Sequence, residues 1–320
     1  MGKKIVSIVA PVYNEQELIS KFISKVCEVL DSIQEKFTAE IILVDDGSKD
    51  NSLKIMREIA IKDDRLRIIE LRRNYGQTAA IQAGMDAAQG DVVITLDADL
   101  QHFPDEIPKF LEKIEEGYDL VCGWRYERAE GIIRKWPSKM ANTIIKKISK
   151  IDIHDFGTTF RAYRREIVKD LQLYGEFHRF IPALAAGVGA RVTEIPIKNI
   201  ERTEGQSKYG LGRTVGVFLD LFVLHFFLRY MDRPMRAFGK LAIAVFSIAA
   251  LILLGLLIYS FVTGIPATRE RQGWFLVSIM LFISSAQIFL TGLLAEFVMR
   301  THFSMGEGRI YKIRKNNYHR

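Results

Sequence analysis

The chain has 320 residues, 48% of them hydrophobic, and a formal net charge of +7. This length accommodates one sizeable α/β domain together with a membrane-associated part. The basic residues cluster beside long apolar stretches, which indicates attraction to anionic lipid head groups and argues against a nucleic-acid partner. Cys27 and Cys122 are too few and too far apart for a zinc site or a disulfide framework, and no signal peptide is expected before the first apolar strand.

Residues 1–125 alternate short apolar runs with amphipathic segments. The runs are rich in Ile and Val, as in a parallel sheet that is buried on both faces. This alternation predicts a doubly wound α/β fold, in which ligands bind at the carboxyl ends of the strands. Two later strands are expected near residues 158–163 and 191–197. The strands predicted in the first part are Ile5–Ala10, Glu40–Val44, Leu66–Leu71, Asp91–Leu96 and Leu120–Gly123.

Polar motifs end the first two strands. Pro-Val-Tyr-Asn-Glu occupies 11 to 15, and Val-Asp-Asp-Gly-Ser occupies 44 to 48. Carboxylates at neighbouring strand ends can hydrogen-bond a base and a ribose, and the ring of Tyr13 offers a stacking face. Turn formation and helix capping explain Asp46, Gly47 and Ser48 equally well, so both interpretations stay open.

A pair of carboxylates follows the fourth strand. Asp97 and Asp99 flank one small residue in Asp-Ala-Asp-Leu-Gln at 97 to 101. Two acids so placed can present oxygens to one hard cation that also holds substrate phosphates, which is typical of Mg²⁺ or Mn²⁺. A solvated turn is the alternative.

Two basic loops offer groups that bind phosphate. Arg125 and Arg134 belong to a loop after the fifth strand, and Arg202, Ser207 and Lys208 belong to a later, glycine-bearing loop. Arginine grips phosphate bidentately, and lysine acts as a point charge. A solvated or lipid-facing run of charge is the alternative for both loops.

Asp155 precedes a turn and a strand in His-Asp-Phe-Gly-Thr-Thr-Phe-Arg at 154 to 161. It can orient or deprotonate an acceptor; capping of the turn is the alternative. The neighbouring His154 is expected to be structural.

Two stretches near the C-terminus, Leu241 to Val262 and Trp274 to Ala295, contain no charged residue. Each would span about 33 Å as a helix, enough to cross a bilayer core. Residues 211–228 carry an apolar stripe too short to span, which predicts an interfacial helix. Because basic residues flank the two stretches, both flanks are expected in the cytoplasm. The predicted organisation is a catalytic domain over 1–210, juxtamembrane helices over 211–237, a two-helix transmembrane hairpin over 238–296 and a basic cytoplasmic tail over 297–320.

Taken in order, these motifs resemble the family 2 glycosyltransferases with a GT-A fold, and within them the branch that uses polyprenyl-phosphate acceptors. The resemblance covers nearly the whole chain and is carried by the spacing of the motifs at 11–15, 45–48, 73–77 and 97–101 and of Arg202 with Ser207-Lys208. Residues 73–77, 161–165 and 204–209 look most like the undecaprenyl-phosphate formamido-arabinose transferases. Residues 125–133, 172–180 and 211–230 depart from them, so the sugar stays open.

The resemblance implies a fold and a set of roles. The fold is a GT-A (Rossmann-like), mostly parallel α/β sheet with helices on both faces, followed by an interfacial helix and the hairpin. Asp97, Asp99 and Asp155 are the implied catalytic residues, and Asp97, Asp99 and Gln101 the implied ligands of Mg²⁺ or Mn²⁺. The implied nucleotide-binding residues are Pro11, Tyr13, Glu15, Val44, Asp46, Asp97 and Ala98, and those for phosphate and acceptor are Arg125, Arg134, Arg202, Ser207 and Lys208.

The expected reaction is inverting, metal-dependent transfer of a single sugar from a nucleotide-sugar, with UDP-sugars favoured, to undecaprenyl or dolichyl phosphate. A phosphomonoester has a second pKa near 6, so the acceptor is largely dianionic at neutral pH and a strong general base is not required. The expected location is the bacterial plasma membrane, with the catalytic domain and both termini in the cytoplasm. The resemblance also implies a homo-oligomer such as a tetramer. The alternatives are transfer to a diacylglycerol lipid and an inactive membrane scaffold.

Overall fold

The computed structural model describes residues 3–126, 145–146, 151–171, 173, 177–198, 226, 230, 234–305 and 313–316. The chain divides into two compact units, one formed by 1–224 with 309–320 and the other by 225–308. The interfacial helix predicted over 211–228 lies almost wholly outside the described residues. The same is true of four predicted phosphate-binding residues, namely Arg134, Arg202, Ser207 and Lys208.

An eight-stranded sheet forms the first unit, in the order β7-β5-β6-β4-β1-β2-β3-β8. β1 pairs in parallel with β2 and β4, β2 with β3, and β5 with β7, while β6 and β8 run antiparallel to their neighbours. This mostly parallel sheet confirms the predicted GT-A-like mixed α/β class. The strands are β1 (Lys4–Val12), β2 (Phe37–Asp45), β3 (Leu66–Leu71), β4 (Val92–Thr95), β5 (Leu120–Arg125), β6 (Arg161–Arg164), β7 (Val192–Ile197) and β8 (Ile313–Asn316).

Helices cover both faces of the central strands, as β1 illustrates. Side chains alternate along a strand, and on one face Ile8 belongs to the core cluster that contains Phe22 of α1 and Phe110 of α4. On the other face Val9 meets α3, where a Cβ added to Gly84 would lie 2.2 Å from a Val9 methyl carbon. Glycine at 84 therefore lets α3 approach the sheet closely. The helices of this unit are α1 (Ile19–Ser32), α2 (Ser52–Ala60), α3 (Gln77–Ala87), α4 (Ile107–Glu115), α5 (Arg165–Asp170) and α6 (Ile181–Gly187).

Two strands differ from the sequence prediction. β6 begins at Arg161, later than the predicted 158, and lies antiparallel between β4 and β5. No strand is predicted within the basic tail over 297–320, and residues 313–316 form β8, which pairs with β3. Neither an alternating pattern nor an apolar run marks these four residues, because an edge strand needs only backbone pairing.

The second unit contains α7 (Met235–Thr263), α8 (Ala267–Glu270) and α9 (Gln272–Met305). Both long helices have the length and the apolar composition needed to cross a membrane. They pack along buried small residues seven positions apart, the spacing typical of a left-handed helix pair. These residues are Ala242 and Ala249 on α7 and Ser278, Ser285 and Gly292 on α9. Most other side chains are exposed (Phe261 at 91%), which suits a lipid environment.

Candidate active site

The carboxyl ends of β1, β2 and β4 lie side by side at one edge of the sheet. The strand register pairs Pro11 with Val44 and Val9 with Thr95. The three polar motifs at 11–15, 44–48 and 97–101 therefore begin next to one another. This is the edge at which open α/β sheets bind ligands.

A cleft of about 470 Å³ opens beside the ends of β2 and β3. Its lining combines the exposed ring of Tyr13, the buried carboxylate of Asp45, whose pKa is raised by burial, and cationic side chains. An aromatic face, an acceptor and cations are the groups that a nucleoside phosphate requires. Sequence reasoning singled out Tyr13 as a nucleotide-binding residue and included Asp45, Ser48 and Arg73 only as members of the motifs at 44–48 and 73–77. It missed Lys49 and Arg72, which also line the cleft and adjoin these two motifs.

Asp46 is not among the residues that line the cleft, and its side chain binds the 73–76 loop. Its two carboxylate oxygens accept the backbone N–H groups of Tyr75 (2.7 Å) and Gly76 (2.9 Å). Burial raises the pKa of Asp46, while the two N–H bonds act in the opposite direction. Asp46 therefore anchors this loop to the end of β2, and its contact with a nucleotide stays a prediction.

Gly47 touches the same loop, backbone to backbone. Its φ is +72°, and an added Cβ would lie 2.6 Å from the carbonyl carbon of Arg73 and 2.7 Å from the nitrogen of Asn74. Only glycine fits this approach without displacement of the loop. The shape of the cleft beside Arg73 therefore depends on the turn at Gly47.

The other predicted nucleotide-binding residues lie at the same edge. Val44 and Ala98 are buried, so their side chains pack in the core and only backbone groups remain for a ligand. The backbone N–H of Glu15 donates to Ser52 Oγ at 2.8 Å, which ties the turn after β1 to α2.

Asp97 follows β4 directly and is held from two sides. Gln77 Nε2 donates to its Oδ1 at 2.8 Å, and the hydroxyl of Thr159 donates to Oδ2. Burial raises the pKa of Asp97 to about 6, and the neighbouring charge of Asp99 adds to this effect. The two hydrogen bonds and the charge of Arg125 lower it.

The turn after Asp97 has an unusual backbone. Leu100 has a φ of +55°, a conformation that a bulky residue rarely adopts and that costs on the order of 1 kcal/mol. Asp99 Oδ1 accepts the backbone N–H of Gln101 at 3.1 Å, which closes the turn.

This turn fits a divalent cation that is shared with a substrate. Within the described part of the chain, no group of three or more His, Cys, Asp or Glu side chains could hold a metal ion by itself. Asp97 and Asp99, which flank Ala98, are carboxylates of the kind that bind Mg²⁺ or Mn²⁺ together with substrate phosphates and water, and their role as metal ligands stays a prediction.

Arg125 and Asp155, assigned to separate roles from the sequence, form one bidentate ion pair. Arg125 Nε lies 2.6 Å from Asp155 Oδ2, and Nη2 lies 2.9 Å from Oδ1. The backbone N–H of Gly157 also donates to Oδ1, at 3.0 Å. A guanidinium carries five N–H donors, so Arg125 has three beyond the two used here.

Comparison with known proteins identifies the family. Residues 7–172 match the family described as Glycosyl transferase family 2. A dodecaprenyl-phosphate galacturonate synthase from Rhizobium johnstonii is 40% identical over 315 residues, which cover 97% of this chain and 92% of that protein. An undecaprenyl-phosphate 4-deoxy-4-formamido-L-arabinose transferase from Shewanella sediminis is 37% identical and covers 93% of this chain and 88% of its own length.

Solved structures share the fold at low sequence identity. Mannosyl-3-phosphoglycerate synthase from Rubrobacter xylanophilus is 16% identical with a TM-score of 0.55, covering 70% of this chain and 74% of that one. Glucosyl-3-phosphoglycerate synthase from Mycobacterium tuberculosis, in complex with Mn²⁺, uridine diphosphate and phosphoglyceric acid, is 16% identical with a TM-score of 0.51 and covers 70% and 78%. The predicted tetramer finds no support in these comparisons. The family match and the near full-length relatives show that this chain belongs to glycosyl transferase family 2 and is a glycosyltransferase.

Proposed function

We propose that this glycosyltransferase transfers one sugar from a UDP-sugar to a polyprenyl phosphate, with inversion at the anomeric carbon and with Mg²⁺ or Mn²⁺. One observation carries the proposal. The chain combines an acidic turn that suits a cation, Asp97–Asp99, with an arginine held by an ion pair, Arg125–Asp155, and continues into a long apolar hairpin. The relatives named above support the acceptor class, since their names specify dodecaprenyl and undecaprenyl phosphate.

On the donor side, Asp97, Asp99 and Gln101 would hold the cation, and Tyr13 would face the base in the cleft. When bound, the cation neutralises the charge that develops on the leaving diphosphate. Gln77 and Thr159 fix both oxygens of Asp97 before substrate arrives. Such preorganisation avoids the cost of reorienting a ligand during the reaction.

On the acceptor side, the remaining N–H groups of Arg125 would bind the prenyl phosphate. Both oxygens of Asp155 already accept N–H donors, from Arg125 and Gly157. This arrangement favours Asp155 as a group that holds Arg125 in position over one that removes a proton. The acceptor needs no strong base, because a phosphomonoester is largely dianionic above a pKa of about 6.

The hairpin would anchor the enzyme in the membrane with both of its ends in the cytoplasm. Chain segments on both sides of the hairpin contribute strands to one sheet, β7 before it and β8 after it. This connectivity supports a hairpin whose two ends emerge on one side of the membrane. Arg236 and Lys240 at the start of α7 and Arg300 near the end of α9 favour the cytoplasm as that side by the positive-inside rule.

The test is transfer of radiolabel by the purified full-length protein. UDP-galacturonate, UDP-formamido-arabinose and a GDP-sugar are each offered with undecaprenyl phosphate, with Mg²⁺, Mn²⁺ or EDTA. A chloroform-soluble, EDTA-sensitive product supports the proposal, and NMR of that product reports the anomeric configuration. Label in diacylglycerol instead would refute the acceptor class.

A variant pair separates the enzyme from a membrane scaffold. Asp97→Asn should abolish transfer and metal-dependent donor hydrolysis, because it removes a charged ligand. Asp105→Asn, an exposed carboxylate eight residues later, is the matched control and should keep both activities. Equal activity of the two variants would remove the Asp97–Asp99 turn from the mechanism.

A further inference from the structure

We propose that Glu194 is a positioning residue that holds Asp155 against Arg125. The inference rests on the proposed function, since it concerns the acceptor side of the same site. Glu194 lies on β7, in register with Cys122 of β5. No motif in the sequence marks it, and its side chain is only 13% exposed.

Both carboxylate oxygens of Glu194 bond to His154, the residue before Asp155. Oε2 accepts the backbone N–H of His154 at 2.6 Å, and Oε1 pairs with Nδ1 of the His154 ring. One carboxylate thus fixes the main chain and the side chain of the same residue. A hydrogen bond to a charged group is about twice as strong as a neutral one, so this is a firm anchor.

Trp124 completes the contact on the same side of the segment. Its ring stacks on the His154 ring with centroids 4.4 Å apart and planes inclined by 21°. Trp124 and Arg125 are consecutive on β5, so their side chains leave the strand on opposite faces. His154 and Asp155 are likewise consecutive, and each contacts one of the two.

The segment that carries Asp155 has no regular structure of its own. Residues 151–160 form neither helix nor strand. Asp155 is positioned by its ion pair with Arg125 and by the backbone N–H of Gly157, and the contacts of Glu194 and Trp124 with His154 hold the neighbouring residue. Loss of Glu194 removes two hydrogen bonds from His154, one residue away from the Asp155 carboxylate.

The kinetic test compares substitutions on one strand. Glu194→Ala should lower kcat by about 10- to 100-fold, the order expected when a group near the reacting atoms shifts by up to 1 Å. The KM for the UDP-sugar should not change, because Glu194 bonds to His154 on the proposed acceptor side. Glu194→Gln keeps an oxygen for the His154 N–H and should recover most of the rate. Thr193→Ala, the neighbour on the opposite face of β7, is the control and should match the wild type.

A double-mutant cycle tests whether Glu194 acts through Asp155. If it does, adding Glu194→Ala to Asp155→Asn should lower kcat little further, because the group being positioned is already altered. Additive losses, or a loss of UDP-sugar affinity equal to the loss of rate, would overturn the proposal.

Hydrogen–deuterium exchange provides a readout that is independent of activity. The peptide that spans residues 151–160 should exchange faster in Glu194→Ala than in the wild type. In Thr193→Ala it should exchange at the wild-type rate. If Glu194→Ala does not fold, His154→Ala serves instead: it keeps the backbone bond to Glu194 and should give a smaller change in the same direction. Unchanged exchange in both variants would refute the positioning role. A wild type that labels no lipid would refute the proposed function, while the exchange data would still decide on Glu194.

Discussion

Replacement of Gly47 by alanine tests whether one backbone contact shapes the nucleotide cleft. The added Cβ would lie within 2.9 Å of three backbone atoms of the 73–74 segment, at a residue whose φ is +72°. The substitution therefore has two free-energy costs. One comes from the left-handed backbone at residue 47, and the other from the close contact of the new Cβ with the 73–74 backbone. The loop must move, and it carries Arg73, which lines the cleft.

The structure supplies a control that separates these two costs. Gly189 also has a positive φ, +90°, yet a Cβ there would meet nothing within 4 Å. Left-handed backbone costs a residue with a Cβ about 1–2 kcal/mol, and both variants carry this cost. Overpacking adds about 1–3 kcal/mol, which only Gly47→Ala should carry.

The assay is UDP affinity by calorimetry, with thermal unfolding of both detergent-solubilised variants alongside. If the close contact destabilises the conformation that binds nucleotide, its free-energy cost of about 1–3 kcal/mol in Gly47→Ala corresponds to a rise in the Kd for UDP of roughly 5- to 150-fold. Gly189→Ala should lose stability and keep the wild-type Kd. If both variants bind UDP equally well, the 47–73 contact does not shape the cleft.

Three further outcomes are expected. In metal-free protein burial raises the pKa of Asp97 to about 6. The affinity for Mn²⁺, measured by calorimetry, should therefore be constant above pH 6 and fall as the pH drops below it, because protons compete with the metal for the carboxylate. Asp46→Ala should lower the unfolding temperature and raise the protease sensitivity of the 73–76 loop, because two part-buried N–H groups lose their acceptor at a cost of about 1 kcal/mol each. Gly292→Ala should destabilise the hairpin in detergent by about 1–3 kcal/mol, because the added Cβ would lie 2.5 Å from the Cβ of Phe238. Gly255→Ala is the control and should leave the stability of the hairpin unchanged, since a Cβ there would meet nothing within 4 Å.

Each of these outcomes has a contrary result. A Mn²⁺ affinity that stays level down to pH 4 would mean that Asp97 is not a ligand or that its pKa is not raised. An Asp46→Ala variant with wild-type protease sensitivity would show that other contacts hold the loop. Equal unfolding temperatures for the two hairpin variants would contradict the close approach of α7 and α9 at Gly292.

The sequence predicted the parts of the molecule that repeat a simple pattern. Apolar runs of Ile and Val located the parallel strands, because a sheet buried on both faces leaves few polar positions within them. Uncharged stretches located the hairpin, although the helices extend beyond them to Met235 and Met305. β8 was not predicted, because backbone pairing at an edge requires no particular side chains.

Contacts between residues distant in the chain could not be predicted in the same way. No sequence pattern indicates that Arg125 and Asp155 form a pair, since they lie thirty positions apart in the chain and the intervening segment has no periodic pattern. Glu194 was missed for the same reason: its partner His154 lies forty positions earlier. Charge at a strand end indicates a site, whereas the partner of that charge is decided by tertiary packing.

The acids at the carboxyl edge of the sheet differ in what surrounds them, and this difference supports the 97–99 turn as the predicted metal site. Asp155 is paired with the guanidinium of Arg125, and Asp46 accepts two backbone N–H groups. Asp97 also accepts a hydrogen bond at each oxygen, from Gln77 and Thr159, yet burial and the neighbouring charge of Asp99 still raise its pKa to about 6. A divalent cation at this turn would offset both effects, because an opposite charge favours the ionised form of a carboxylate. The strain at Leu100 is consistent with a turn shaped for a ligand, because such backbone persists where the surroundings hold it in place.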